Sequence, residues 1–131
     1  MKRWEELALS GDYVEIRGPC VSGCTLIMMH IPSSRLCFGE NASLGFHLAQ
    51  IKYDGHFGDH EFHPDLKLSQ WMVDHYPQDI HNWLMNRGCV EKMTVRDMWS
   101  LPAEELWTMG YRKCEPEKLV PMTILRSKRA T

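Results

Sequence analysis

The sequence lacks any long apolar stretch. No such run approaches the roughly 18 residues that a helix needs to cross a bilayer, so we expect no membrane partner. Residues 1–6 carry charges of both signs and lead into no apolar segment with a small-residue cleavage site, which argues against a secretory signal. These absences together predict a cytoplasmic protein.

The chain also lacks an excess of either charge. Fifteen basic side chains stand against 17 acidic ones, a formal net charge of −2, so no overall basic character exists to attract a nucleic acid. The locally basic tail, residues 126–131, is short, and such tails are usually solvated. We therefore expect no nucleic-acid partner.

The five cysteines are an odd number. In a reducing cytoplasm this count favours free thiols over a disulfide framework. Cys20 and Cys24 flank a predicted turn, but a disulfide between them requires the turn to distort, and burial as free thiols is the simpler interpretation.

The composition is that of one globular domain. The 131 residues, 44% hydrophobic and 24% charged, suit a single domain over residues 1–131 with no internal repeat or linker. Residues 52–65 are predicted to form an exposed, histidine-rich loop. Elsewhere, apolar strands alternate with apolar helices, which predicts a layered α/β fold. The predicted elements are a helix at 1–9, strands at 13–17, 35–38 and 43–48, a buried helix at 21–31, and helices near 68–76, 77–88 and 100–110.

The segment 18–24, Gly-Pro-Cys-Val-Ser-Gly-Cys, predicts a sharp strand-to-helix turn. A serine hydrolase needs its nucleophile in such a turn, with the next backbone N–H facing the developing oxyanion. Ser22 begins the apolar helix, and Gly23 allows a carbonyl to approach the backbone closely. Most serines at helix starts are caps, so these residues alone leave both a nucleophile and a cap open.

Three segments, the first of which contains this turn, carry a family resemblance. Residues 18–27, then Arg-Leu-Cys-Phe at 35–38 and Ala-Ser-Leu-Gly-Phe-His at 42–47, resemble the proteolytic subunit of the caseinolytic (Clp) protease. They are most similar to its divergent relatives with a Cys-x-Ser-x-Cys-Thr segment. In that family the catalytic serine precedes a buried helix and the catalytic histidine ends the second of two strands. The resemblance implies a ClpP/crotonase-like fold with Ser22 as nucleophile and His47 as base.

The segment 96–110 resembles the family's later acid and serine-capped helix, which implies Asp97 as the triad acid. In these roles His47 accepts the Ser22 proton, Asp97 fixes the imidazole tautomer, and the Gly23 N–H is one oxyanion donor. The resemblance implies a serine-type hydrolase, a peptidase that acts on peptide or protein substrates through an acyl-enzyme, without cofactor or metal.

The sequence departs from the family before Ser22. Family members begin with two or more strands and a Gly-Gly loop that supplies the second oxyanion donor, and no Gly-Gly pair precedes Ser22 here. We expect a domain truncated at its N-terminus, whose oxyanion hole is incomplete or completed by another chain. The resemblance also implies a homo-oligomer and leaves any unfoldase partner unknown.

Two other functions stay open. His56, His60 and His63, with Asp59 and Glu61 beside them, have a spacing that could place several ligands on one zinc ion, which would make a metal-binding module. Alternatively, the chain is a catalytically impaired ClpP-like scaffold, and its five tryptophans and nine methionines supply apolar area for binding or assembly.

Overall fold

A computed structural model describes residues 2–54, 60–116 and 125–128. Among these residues the α-helices are α1 (Lys2–Ser10), α2 (Ile27–His30), α3 (Leu66–His75), α4 (Gln78–Asn86), α5 (Cys89–Lys92) and α6 (Ala103–Thr108), with 3-10 helices at Ser22–Leu26 and Ser33–Arg35. The strands are β1 (Tyr13–Ile16), β2 (Pro19–Val21), β3 (Leu36–Phe38), β4 (Ser43–Phe46), β5 (Gln50–Asp54), β6 (His60–Pro64), β7 (Trp99–Pro102), β8 (Arg112–Lys113) and β9 (Leu125–Lys128). The predicted mixture of helices and strands is confirmed.

The chain divides into two compact units. The first contains Met1–Gly45 and Ser100–Thr131, and the second contains Phe46–Trp99. The expected single domain over 1–131 stays a prediction, and each unit is described by itself below.

Two small sheets organise the first unit. Their strand orders are β8-β3-β1-β9 and β2-β4-β7. The first four strands alternate between the sheets: β1 pairs in parallel with β3, and β2 pairs in parallel with β4. Because parallel neighbours need a long crossover, the chain passes through a strand of the other sheet and the helical segment 22–35 before β3 begins. The chain therefore passes through one strand of each sheet and then the helical segment before it returns to the first sheet.

The central strands β1 and β3 form its core. Val14 and Ile16 alternate inward on β1, whereas every residue of β3 is buried, as expected for a strand covered on both faces. Burying an aliphatic or aromatic side chain of this size contributes about 1.5 to 3 kcal/mol. The indole N–H of Trp107 donates to the Phe38 carbonyl at 2.9 Å, which ties helix α6 to β3.

The second unit combines a hairpin with helices. Strands β5 and β6 pair in antiparallel register, and Asp65 then caps α3 by accepting from the Leu68 N–H at 2.9 Å. The ring of Phe46 lies 5.3 Å from that of Tyr76 and 5.9 Å from that of Trp83, which joins α3 and α4 to the start of the unit. The predicted helices near 68–76 and 77–88 are confirmed as α3 and α4.

Three stretches differ from the sequence-based expectation. Strands β5 and β6 occupy most of the expected loop at 52–65, consistent with the apolar-polar alternation of residues 50–53. Strand β9 takes up part of the expected basic tail at 126–131, because it pairs with the free side of β1. The predicted buried helix at 21–31 is divided between β2, a 3-10 helix and α2.

The expectation of free thiols is wrong for four of the five cysteines. Disulfides join Cys20 to Cys24 and Cys37 to Cys114, and Cys89 alone is free. The first pair forms because the turn between β2 and the 3-10 helix brings the two Cα atoms to 5.2 Å. The second forms because β8 pairs with β3 and the Cys114 N–H donates to the Phe38 carbonyl at 3.0 Å.

We predict unequal contributions of the two disulfides to stability. Their sequence separations are 77 and 4 residues, and in the chain-entropy treatment the longer loop contributes about 4 to 5 kcal/mol and the shorter about 2 kcal/mol. Urea unfolding of Cys37→Ala/Cys114→Ala should therefore show the larger loss in unfolding free energy, with Cys20→Ala/Cys24→Ala as the matched pair. Equal losses would contradict this account.

Candidate functional site

Ser22 lies in an unusual backbone conformation. Strand β2 ends at Val21, whose φ and ψ of −117° and 151° are extended, and the 3-10 helix begins at Ser22 with φ of +53°. A side chain at positive φ crowds the backbone, and such a residue costs about 1 to 3 kcal/mol unless its surroundings hold it. Strained residues of this kind concentrate at functional sites, so the positive φ, which among the described non-glycine residues Ser22 shares with Cys89, marks Ser22 for a functional hypothesis.

Two contacts hold this turn. The hydroxyl of Thr25, which is fully buried, donates to the Ser22 carbonyl at 2.5 Å. The Cys20–Cys24 disulfide links the residue two positions before Ser22 to the residue two positions after it. Cys20 is buried on β2, whereas Cys24 and Ser22 are half-buried. The turn is therefore fixed by both a covalent bond and a hydrogen bond.

Gly23 leaves open space in front of this turn. It is exposed, and a Cβ added to it would meet no atom within 4 Å. The absence of a side chain is therefore not required by packing within the protein. The oxyanion role of the Gly23 N–H stays a prediction.

His47 has a defined ring orientation. It is half-buried, directly follows β4, and its Nδ1 atom lies 2.7 Å from the carbonyl oxygen of Leu48. A carbonyl oxygen can only accept, so this hydrogen bond requires the proton on Nδ1 and leaves a lone pair on Nε2 of the neutral ring. This is the tautomer that a general base needs when Nε2 faces the nucleophile.

Asp97 lies in a loop that is tied to the residue after His47. The Thr94 carbonyl accepts from the Leu48 N–H at 2.8 Å, and the Thr94 hydroxyl accepts from the Asp97 N–H at 2.9 Å. Asp97 itself is exposed. The partner that the structure gives His47 Nδ1 is the Leu48 carbonyl, so the triad role of Asp97 stays a prediction.

The strands that lead to Ser22 and His47 are neighbours. In the parallel pair β2 and β4, Cys20 is opposite Leu44 and Val21 is opposite Gly45. Along the chain, Ser22 directly follows Val21, and His47 is the second residue after Gly45. Ser22 belongs to the first unit and His47 to the second, so the structure describes the geometry of each residue within its own unit.

The histidine-rich segment gives no metal site that the structure describes. His56 and Asp59 lie outside the described residues, and of His60 and Glu61 only the backbone is described, in β6. His63 is exposed. Within residues 2–54, 60–116 and 125–128, no group of three or more histidine, cysteine or acidic side chains could hold a metal ion. Helices in the same ranges are all too short or too polar to cross a bilayer.

Sequence reasoning missed the parts that hold the site. The Thr25 hydroxyl and the Cys20–Cys24 bond act in a turn whose shape depends on the positive φ of Ser22. The Leu48 carbonyl acts just after the end of strand β4. The signal that could have indicated the first disulfide is the placement of two cysteines symmetrically about a serine. No local pattern indicates that a main-chain carbonyl will orient His47.

Comparison with known protein families, curated proteins and solved structures finds no match for this chain.

We predict that Ser22→Gly is more stable than Ser22→Ala. Glycine adopts positive φ without the steric cost that any Cβ brings, and its greater freedom in the unfolded chain offsets part of that gain. The expected difference in the free energy of unfolding is roughly 0.5 to 1 kcal/mol in favour of glycine. Denaturant unfolding of the two variants measures it, and a more stable alanine variant would show that Ser22 carries no backbone strain.

Proposed function

We propose that this chain is a serine hydrolase in which Ser22 is the nucleophile and His47 is the general base. The observation that carries the proposal is the positive φ of Ser22 at the junction of a parallel strand and a helical turn. An N-terminal cap needs no such conformation, because capping serines adopt extended backbone angles at negative φ. A nucleophile in a tight turn does benefit from it, since the turn projects the hydroxyl away from the backbone.

The finer fold that we propose is ClpP/crotonase-like. Its support is the alternation of the first four strands between two sheets, with parallel pairing of β1 with β3 and of β2 with β4. The positions of Ser22 after β2 and of His47 after β4 agree with the order that the sequence resemblance implies. A peptide or protein substrate and self-association belong to the same proposal.

The proposed reaction is acyl transfer. Ser22 Oγ forms a bond to the substrate carbonyl carbon while its proton passes to His47 Nε2, and the carbonyl electron pair moves to the oxygen, where the Gly23 N–H stabilises it. Collapse of the oxyanion breaks the bond to the leaving group, which takes the proton from His47. Water then attacks the acyl-Ser22 ester by the same steps and releases a carboxylic acid.

The orientation of His47 supports its role as base. With Nδ1 donating to the Leu48 carbonyl, the neutral ring offers Nε2 as the acceptor. In this arrangement the tautomer is set without a carboxylate. Asp97 keeps the role of triad acid only as an implication of the resemblance.

Covalent labelling with a fluorophosphonate tests the proposal. We expect the wild-type chain to be labelled on Ser22, Ser22→Ala to be unlabelled, and Ser33→Ala to react like the wild type. Ser33 is the matched control because it also begins a 3-10 helix but is exposed and has no positive φ. His47→Gln should slow labelling by about 100-fold or more. His30→Gln, another half-buried histidine, should not. Intact-protein mass spectrometry measures the rates, and a folded wild type that is never labelled would favour the scaffold function instead.

We predict that Asp97→Asn retains labelling within about tenfold of the wild-type rate. Where a carboxylate alone fixes the tautomer of the catalytic histidine, the same change lowers kcat by about 10⁴. Here the Leu48 carbonyl already selects the tautomer, and Asp97 is exposed. The neighbouring exposed Arg96→Gln serves as the control for changes of charge in this loop. A loss near 10⁴ specific to Asp97→Asn would establish it as the triad acid.

A further inference from the structure

We infer that Thr25 is a positioning residue, which fixes the orientation of the Ser22–Gly23 peptide and so directs the Gly23 N–H toward the oxyanion. The inference rests on the proposed function, because the oxyanion exists only if Ser22 attacks a carbonyl. Its physical basis is a hydrogen bond between a buried side chain and one particular peptide group.

The peptide geometry carries the first step. The Ser22–Gly23 peptide is trans, so the Ser22 C=O and the Gly23 N–H lie in one plane and point in opposite directions. Thr25 Oγ1 donates to the Ser22 carbonyl oxygen at 2.5 Å. The carbonyl is therefore directed toward the buried Thr25, and the Gly23 N–H is directed away from it.

The second step concerns why this peptide needs a specific contact. A peptide flip changes ψ of the residue before it and φ of the residue after it, and glycine accepts φ of either sign. The 3-10 helix Ser22–Leu26 favours a Ser22 carbonyl that faces Thr25, but a Cβ added at Gly23 would meet nothing within 4 Å, so no packing contact at Gly23 reinforces that orientation and the Thr25 hydroxyl adds the second donor that does. The Cys20–Cys24 disulfide joins residues outside this peptide and closes the turn without fixing the plane between them.

The burial of Thr25 makes the contact selective. Its side chain is fully inaccessible, so water cannot replace the carbonyl as the acceptor without opening the turn. In the flipped peptide the Gly23 N–H would face the Thr25 side chain and the Ser22 carbonyl would face the incoming substrate. A carbonyl oxygen at that position repels a developing oxyanion instead of stabilising it.

Two substitutions at Thr25 separate positioning from packing. Thr25→Val keeps the shape and removes the donor, whereas Thr25→Ser keeps the donor and removes a buried methyl group. If Thr25 acts by positioning, Thr25→Val lowers kcat for an activated ester by about 100- to 1,000-fold with little change in KM, and Thr25→Ser stays within about tenfold of the wild type. A purely structural role predicts that the rates follow the melting temperatures of the two variants.

A second measurement does not depend on catalysis. Crystal structures of the variants report the orientation of the Ser22–Gly23 peptide, which we expect to be flipped or mixed in Thr25→Val and unchanged in Thr25→Ser. An unchanged peptide in Thr25→Val, or equal rates for the two variants, overturns the inference. A wild type that is neither labelled nor active overturns the proposed function, and the peptide orientation then still decides whether Thr25 fixes this turn.

Discussion

The left-handed backbone of Ser22 is the constraint on which the arrangement of the first unit's turn depends. An L-residue at φ of +53° lies in a conformation that the free chain rarely adopts, so neighbouring contacts must select it. The selection comes from three sources: the pairing of β2 with β4 before the residue, the Cys20–Cys24 bond across it, and the Thr25 hydroxyl after it. Of the three, the Thr25 hydroxyl contacts the Ser22–Gly23 peptide itself, through the Ser22 carbonyl.

The helices and strands that could be predicted are those whose causes lie in the local sequence. Helices α3 and α4 follow from apolar spacing and from Pro77, and strands β1 and β3 follow from short runs of β-forming residues between turn signals. The division of 21–31 into a strand, a 3-10 helix and a short α-helix was not predictable, because it depends on the backbone of one residue. The Cys37–Cys114 bond and β9 depend on strands that pair across most of the chain, and no local pattern encodes that register.

The disulfides also bear on the compartment. Cytosolic thiols are kept reduced, and paired cysteines are a feature of proteins that fold in oxidising surroundings. Two disulfides among five cysteines therefore weigh against the cytoplasmic location expected from the sequence. The Cys20–Cys24 bond connects this question to the candidate site, since the same bond closes the turn that holds Ser22.

The contact between His47 and Leu48 separates two functions that a triad acid usually combines. An acid partner both selects the histidine tautomer and stabilises the imidazolium that forms as the proton moves. A main-chain carbonyl performs the first function fully, because it can only accept and so requires the proton on Nδ1. It performs the second weakly, because it carries a dipole and no net charge, and charge-assisted hydrogen bonds are roughly twice as strong as neutral ones. In the proposed role as base, a histidine oriented in this way is better suited to substrates whose leaving group needs little protonation, such as activated esters, than to amides, whose leaving nitrogen must take the proton from the imidazolium.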